Sequence, residues 1–96
     1  MFTARVVGNV VATQKDKDLV GTKLLLVHPL YGEFRKEKCL VAVDSVGAGI
    51  GERVLVTKGS AARQTDQFKG SPIDHAIVGI IDEIELDESS FSGGGY

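Results

Sequence analysis

Tryptophan is absent from this sequence of 96 residues, and cysteine and methionine occur once each. Because Cys39 is the single cysteine, an intrachain disulfide is excluded, which fits a protein of a reducing compartment. Phenylalanine and tyrosine together make up only 6% of the residues. That is few for a surface that stacks on bases, so we expect no nucleic-acid partner.

Long apolar runs are also missing from the chain. No segment approaches the roughly 20 apolar residues with which a helix spans a membrane. No basic stretch followed by an apolar one opens the chain, as it does in a signal peptide. We therefore expect a soluble, cytoplasmic protein that makes no membrane contact.

Charge of one sign is not in large excess, because the formal net charge is −2. Residues 1–38 carry seven Lys and Arg against four Asp and Glu, and residues 39–96 carry four against nine. The two parts thus have opposite net charges. Neither charge is extreme enough to indicate DNA or an anionic membrane as the partner.

The composition supports a folded core, since 43% of the residues are hydrophobic. A chain of this length forms one domain with a thin core, and oligomerisation is a natural way to bury more surface. We assign residues 1–86 to a β-barrel domain. Residues 87–96 end in SSFSGGGY and are assigned to a flexible Ser/Gly-rich tail.

Five short segments rich in apolar and β-branched residues predict strands, and the absence of a long helical pattern predicts an all-β fold. Gly8 and Gly79 interrupt the first and last segments, and each predicts a bulge or bend of the kind that small barrels need. Together these features predict a small five-stranded β-barrel. The predicted strands cover residues 2–13, 24–27, 40–46, 53–58 and 77–86.

Two further segments have less regular patterns. Ser71 followed by Pro72 resembles a helix N-cap with proline at the first helical position, which predicts one helical turn over residues 72–76. Residues 33–38 (EFRKEK) are polar around the isolated Phe34 and are read as either a hairpin arm or an exposed loop.

A glycine-rich loop between the third and fourth predicted strands is the most distinctive stretch, and we call residues 47–52 the glycine loop. It reads Gly47, Ala48, Gly49, Ile50, Gly51 and Glu52. A dinucleotide-binding fingerprint needs G-x-G-x-x-G at the start of a helix. Here Glu52 takes the sixth position and a strand follows, so the pattern favours a structural loop over a phosphate site.

No residue pattern for catalysis, a cofactor or a metal is found. The candidate metal ligands are single and widely spaced, and the candidate nucleophiles lie in no nucleophile-elbow pattern. The carboxylates near strand ends are interpreted as loop caps or as ion-pair partners of Arg53 or Arg63 rather than as an acid–base pair. The candidate metal ligands are His28, Cys39 and His75. The candidate nucleophiles are Ser45, Ser60 and Cys39. The carboxylates are Asp44, Glu52, Asp74 and Asp82.

A second small-residue stretch follows the fourth predicted strand and reads Ser60, Ala61, Ala62 and Arg63. One interpretation is a capped turn. The other is a subunit contact or pore lip, because two alanines between hydrogen-bonding residues permit close packing of a neighbouring chain. The residues themselves leave both interpretations open.

Several of these stretches, in this order and within so short a chain, resemble the EutN/CcmL family, the pentameric vertex proteins of bacterial microcompartment shells. They are residues 6–13 (VVGNVVAT), 19–25 (LVGTKLL), 42–52 (AVDSVGAGIGE), 54–56 (VLV), 59–63 (GSAAR) and 72–82 (PIDHAIVGIID). Two features depart from the family pattern. Ala61 stands where the motif usually has serine, and the tail beyond Asp87 lies outside the shared pattern.

The resemblance implies an OB-like barrel, with one or two short helical turns, that assembles as a cyclic pentamer. Such pentamers fill the fivefold corners of an icosahedral shell, so the implied partners are further copies of this chain and the hexameric and trimeric shell proteins. The implied role is structural, without catalytic residues, cofactor or metal, in the shell within the cytoplasm. The alternative is a small OB-fold module that binds oligonucleotides.

A closed ring joins two different faces of each subunit. We therefore expect the glycine loop and residues 60–63 to lie near the ring axis or at the subunit seam. A β-branched residue in place of Gly49 should then disturb assembly more than it disturbs folding of the subunit.

Overall fold

The computed structural model describes residues 1–12, 21–58, 74–87 and 89. The described chain forms five β-strands and one short 3-10 turn over Lys36–Lys38. The glycine loop lies between the third and fourth strands. The strands are β1 (Phe2–Val10), β2 (Lys23–Pro29), β3 (Leu40–Asp44), β4 (Arg53–Lys58) and β5 (His75–Ile80).

The five strands close into a barrel in the order β1-β2-β3-β5-β4, with β4 returning to β1. All neighbours are antiparallel except β3 and β5, which pair in parallel at Val43–Ala76 and Asp44–Ile77. Because the barrel is closed, each of the five described strands pairs with a neighbour on both sides. This confirms the predicted all-β, five-stranded barrel.

Alternate residues of the strands point inward and form the core, as the period of two in a β-strand requires. In β1 the inward pair is Ala4 and Val6, and in β4 it is Val54 and Val56. The core contains mostly small and β-branched side chains, because the inside of a narrow barrel leaves little room. Its other members are Leu25, Val27, Ala42, Ala48 and Ile77.

The irregularities predicted at Gly8 and Gly79 are both present, as β-bulges in the strand register. Val6 pairs with Val27 and Gly8 pairs with Leu26, so one residue of β1 bulges between them. A second bulge lies beside Gly79 in β5. Each bulge increases the local bend of its strand, which a barrel of five strands needs to close.

The last predicted strand is wrong in its bounds. Pairing of β5 with β4 begins at His75. The helical turn predicted over residues 72–76 is therefore wrong at His75 and Ala76. Residues 71–73, which include its predicted N-cap, lie outside the described part of the chain. The strand stops at Ile80 rather than Leu86. The N–H of Ile81 still binds the carbonyl of Arg53, 2.9 Å away, but β4 itself begins at Arg53. Residues 82–86 therefore find no strand of this barrel to pair with.

Smaller differences concern the ends of other segments. The first strand ends at Val10 rather than residue 13, and the third ends at Asp44 rather than Val46. The second extends through Pro29 instead of ending before it. The polar segment 33–38 is an exposed loop containing the 3-10 turn, not a hairpin arm. Within the described ranges, no helix is long and apolar enough to cross a membrane.

Candidate functional site

The glycine loop is fastened to the barrel at its start by Asp44. The buried carboxylate accepts hydrogen bonds from the N–H groups of Val46, at 3.0 Å, and Ala48, at 2.9 Å. The Nζ of Lys23 donates to the carbonyl oxygen of Ala48 at 2.6 Å and lies 3.9 Å from Asp44 Oδ2. These contacts hold the methyl group of Ala48 inside the core, where it is fully buried.

The end of the loop continues the pairing between β4 and β1. The N–H of Val6 donates to the carbonyl of Glu52 at 2.9 Å, and the N–H of Gly51 donates to the carbonyl of Val6 at 2.8 Å. A guanidinium N–H of Arg5 donates to the carbonyl of Gly51 at 2.6 Å. The loop is thus hydrogen-bonded to the barrel at both ends.

The middle of the loop is a turn between Gly49 and Glu52. The side chain of Glu52 accepts the N–H of Gly49 at 2.7 Å, and the N–H of Glu52 donates to the carbonyl of Gly49 at 3.1 Å. Gly47 and Gly51 adopt φ of 81° and 93°, which residues with a side chain rarely adopt. Gly49 lies outside that region, and a Cβ added there meets only the Glu52 carboxylate, at 3.5 Å.

These contacts are those of a structural loop and do not leave a cradle for phosphate. An anion site needs several backbone N–H groups aimed at the ligand. Here the N–H groups of five residues donate to acceptors within the chain: Val46, Ala48, Gly49, Gly51 and Glu52. Three of those five bonds end on the carboxylates of Asp44 and Glu52, which would repel a phosphate.

The glycine loop exposes a large apolar side chain in its turn, next to the exposed Glu52. Ile50, in the turn, is 61% exposed, and Val46 is also exposed. An exposed apolar side chain on a firmly held backbone suits contact with another protein, since little conformational entropy is lost on binding. Of the ten residues predicted for the interface, Ser60, Ala61, Ala62 and Arg63 lie outside the described part of the chain.

The residues considered as metal ligands are not brought together. Among the described residues, no group of three or more His, Cys, Asp or Glu side chains could hold a metal ion. Cys39 is a half-buried free thiol. His75 lies in β5, with its ring edge-on to Phe2 at a centroid distance of 6.0 Å, so its predicted place on a helical turn is wrong.

His28 has a structural role at the end of β2. The N–H of Arg35 donates to Nε2 at 3.0 Å, so Nε2 carries no proton. Nδ1 therefore carries it and donates to the carbonyl of Pro29 at 2.6 Å. The ring also stacks on Phe34, with centroids 4.7 Å apart. The almost fully buried imidazole thus fastens the 33–38 loop to the end of β2.

Of the described residues considered for catalysis, Asp44 serves as a cap and Ser45 as an anchor. Asp44 pairs with Lys23 rather than with Arg53. A guanidinium N–H of Arg53 donates instead to the backbone carbonyl of Asp82, at 3.0 Å. The hydroxyl of Ser45 donates to the carbonyl of Ile77 at 3.0 Å. No described contact pairs Ser45 with a general base.

A groove of 320 Å³ lies beside the 33–38 loop and was not predicted from the sequence. Its walls come from residues distant in sequence, so no local pattern could have marked it. We call it the β1–β2 groove, and its lining residues are Arg5, Val7, His28, Pro29, Leu30, Gly32 and Phe34.

Comparison with known proteins places this fold in a family. The chain belongs to the EutN/CcmL family, because the model described as "Ethanolamine utilisation protein EutN/carboxysome" matches residues 1–82. The match spans the whole barrel, with the glycine loop and every strand described above.

Named relatives and solved structures agree with this assignment. The chain is 46% identical over 86 residues to the bacterial microcompartment shell vertex protein GrpN of Rhodospirillum rubrum, covering 88% of this chain and 97% of that protein. It is 44% identical over 90 residues to the carboxysome shell vertex protein CcmL of Nostoc, covering 92% and 89%. The solved structure described as the GrpN pentameric microcompartment shell protein from Rhodospirillum rubrum superposes with a TM-score of 0.75 at 43% identity, covering 91% of this chain and all of that one.

Proposed function

We propose that this chain is the vertex subunit of a bacterial microcompartment shell and that it acts as a homopentamer. The observation that carries the proposal is the match along almost the full length of proteins named as shell vertex proteins, one of them solved as a pentamer. The matches cover 88% of this chain and 97% of the first relative, and 91% of this chain and 100% of the pentameric structure.

The mechanism is geometric. A flat sheet with sixfold tiling cannot close into a shell, and units of fivefold symmetry supply the missing curvature. A ring of five joins one face of each subunit to a different face of the next. We propose a structural rather than a catalytic role, with hexameric and trimeric shell proteins as neighbours, in a shell that lies in the cytoplasm.

The glycine loop and residues 60–63 are proposed to lie near the ring axis or at the subunit seam. The support for the loop is its firmly held backbone and the exposed Ile50 in its turn. The side chain of Ala48 is committed to the subunit core, so the backbone and Ile50 would make the contact. Gly49 keeps that backbone open to close approach, since an added Cβ would meet no part of its own subunit closer than 3.5 Å.

Native mass spectrometry of the purified chain tests the assembly. We expect a particle of five subunits that persists on dilution to low micromolar concentration. Co-expression with a hexameric shell protein tests the vertex role, and closed polyhedral shells should replace open sheets or tubes when this chain is added. A monomer that binds single-stranded oligonucleotides with strong salt dependence would instead support the OB-fold binding module.

A further inference from the structure

The chain leaves the barrel after Asp82 as an alternating acidic and apolar segment. We call residues 83–87 the acidic arm; it reads Glu83, Ile84, Glu85, Leu86 and Asp87. Strict alternation is typical of a strand with one buried face. In the structure the arm is not a strand, and Ile84 and Leu86 are 53% and 67% exposed. The pattern is that of a paired segment, but the subunit does not bury its apolar side.

The β1–β2 groove has the complementary character. Its floor includes the apolar side chains of Val7, Leu30 and Phe34, and Phe34 is 61% exposed. Arg5 lines it and, among the described residues, has no carboxylate within 4.0 Å; its guanidinium donates to a backbone carbonyl. The loop that borders it continues as Arg35, Lys36, Glu37 and Lys38, all exposed, which adds positive charge beside the apolar floor.

We infer that the acidic arm of one subunit docks in the β1–β2 groove of the next subunit of the ring. Ile84 and Leu86 would cover the apolar floor, and the alternating carboxylates would face Arg5 and the basic loop. This inference rests on the proposed function, because it needs a ring of copies, and it names the two faces that the ring joins. Arm and groove share no residue, as the two faces of a heterologous contact require.

The arm does not fill the groove of its own subunit in the structure. Its start is fixed on β4, where Arg53 binds the carbonyl of Asp82. Arg53 pairs with the groove residue Arg5, yet no residue of the arm lines the groove. Both apolar side chains of the arm are left in solvent. The groove of a second copy offers positive charge to the carboxylates of the arm and covers Ile84 and Leu86. A ring can repeat this contact, since every subunit carries one arm and one groove.

Cross-linking of the full-length chain tests the inference. In a Cys39→Ser background, a chain carrying Phe34→Cys and Leu86→Cys places one thiol in the groove and one on the arm. Docking between subunits brings the two Cα atoms within the roughly 4.4–6.8 Å that a disulfide spans. After mild oxidation, non-reducing electrophoresis should show a ladder from two to five covalently joined chains. Reduction should return the chain to the monomer position.

A second preparation excludes contact within one chain. Two chains, one carrying only Phe34→Cys and the other only Leu86→Cys, are co-expressed in the same background and should yield covalent dimers. The matched control pairs Leu86→Cys with Val11→Cys. Val11 is an exposed apolar residue just beyond β1, four positions past the groove residue Val7, and should give no ladder.

The outcomes separate this inference from the proposed function. A particle of five without groove–arm cross-links, or with the control cross-linking equally well, overturns the inference and leaves the pentameric vertex role intact. A disulfide confined to single chains overturns it as well, because the arm then docks within its own subunit. A native mass of one subunit contradicts both.

Discussion

Asp44 and Ala48 are joined by a hydrogen bond of 2.9 Å from the N–H of Ala48 to the carboxylate of Asp44. The same carboxylate accepts the N–H of Val46, and the carbonyl of Ala48 accepts Lys23 Nζ. A buried charge is stable when it is hydrogen-bonded and paired. The pair therefore explains how a loop with three glycines in five residues keeps a fixed shape and places one methyl group in the core.

Replacing Asp44 by alanine should destabilise the subunit. The buried N–H of Ala48 and the part-buried N–H of Val46 would lose their acceptor, and a buried unsatisfied group costs about 1–3 kcal/mol. Urea unfolding, followed at one fixed subunit concentration because assembly adds to apparent stability, should show a loss of about 2 kcal/mol or more. Asp82→Ala is the matched control, since only the backbone carbonyl of Asp82 is used by Arg53. An Asp44→Ala chain as stable as that control would contradict the capping role.

The glycines of the loop should differ in their tolerance of a side chain. Gly47→Ala and Gly51→Ala force alanine into a left-handed backbone conformation, which costs about 1–2 kcal/mol. Gly49→Ala meets neither strain nor a contact shorter than 3.5 Å and should unfold within about 0.5 kcal/mol of the unsubstituted chain. Urea unfolding of the three variants at equal concentration measures the difference, and equal losses at all three positions would contradict it.

The same loop gives a test of assembly that is separate from folding. Gly49→Val adds a branched side chain where a neighbouring subunit is proposed to approach, so we expect the native mass to shift from five subunits to smaller species. Circular dichroism should still report the folded barrel. Ala12→Val is the control, because Ala12 is exposed just beyond β1 and belongs neither to the glycine loop nor to the lining of the β1–β2 groove. A Gly49→Val chain that stays pentameric with unchanged stability would show that this position lies away from the axis and seam.

His28 should behave as a neutral structural residue with its proton on Nδ1. Nitrogen-15 NMR of the ring should show a protonated Nδ1 and an unprotonated Nε2, as the bonds to Pro29 and Arg35 require. His28→Phe keeps an aromatic ring beside Phe34 but removes both bonds, and should reduce the free energy of unfolding by about 1–3 kcal/mol. Phe34→Leu, which removes only the stacking, should cost less, about 0.5–1.5 kcal/mol. The opposite ranking would show that stacking, not hydrogen bonding, fastens this loop.

Removing the hydroxyl group of Thr57 should stabilise the subunit. Its Oγ1 is buried in β4 and has no hydrogen-bond partner among the described residues. Thr57→Val keeps the branched shape and removes the unsatisfied polar atom, so the free energy of unfolding should rise by about 1 kcal/mol. Thr3→Val, at a half-buried position of β1, serves as the control and should change little. A loss of stability specific to Thr57→Val would mean that the hydroxyl has a partner elsewhere.

The local pattern predicted β4 well and β5 poorly, and one cause explains both outcomes. Arg53–Lys58 lies between two strands, so its alternation and its pairing coincide. Residues 83–87 alternate between acidic and apolar side chains, yet β5 ends at Ile80. Alternation indicates which side of a strand is apolar, but it does not indicate whether a neighbouring strand is present to pair with it. Since β4 begins at Arg53, it has no residues opposite the segment that follows Ile81.

By itself the sequence determined the all-β class, the two bulges beside Gly8 and Gly79, the position of the glycine loop and the absence of a dinucleotide fingerprint. All of these follow from residue types at short range. The tertiary structure alone decided that Lys23, Arg5 and Val6 hold that loop and that the acidic arm is left outside the barrel. Each of these depends on contacts between distant segments, and strand pairing sets those contacts only once the barrel has closed.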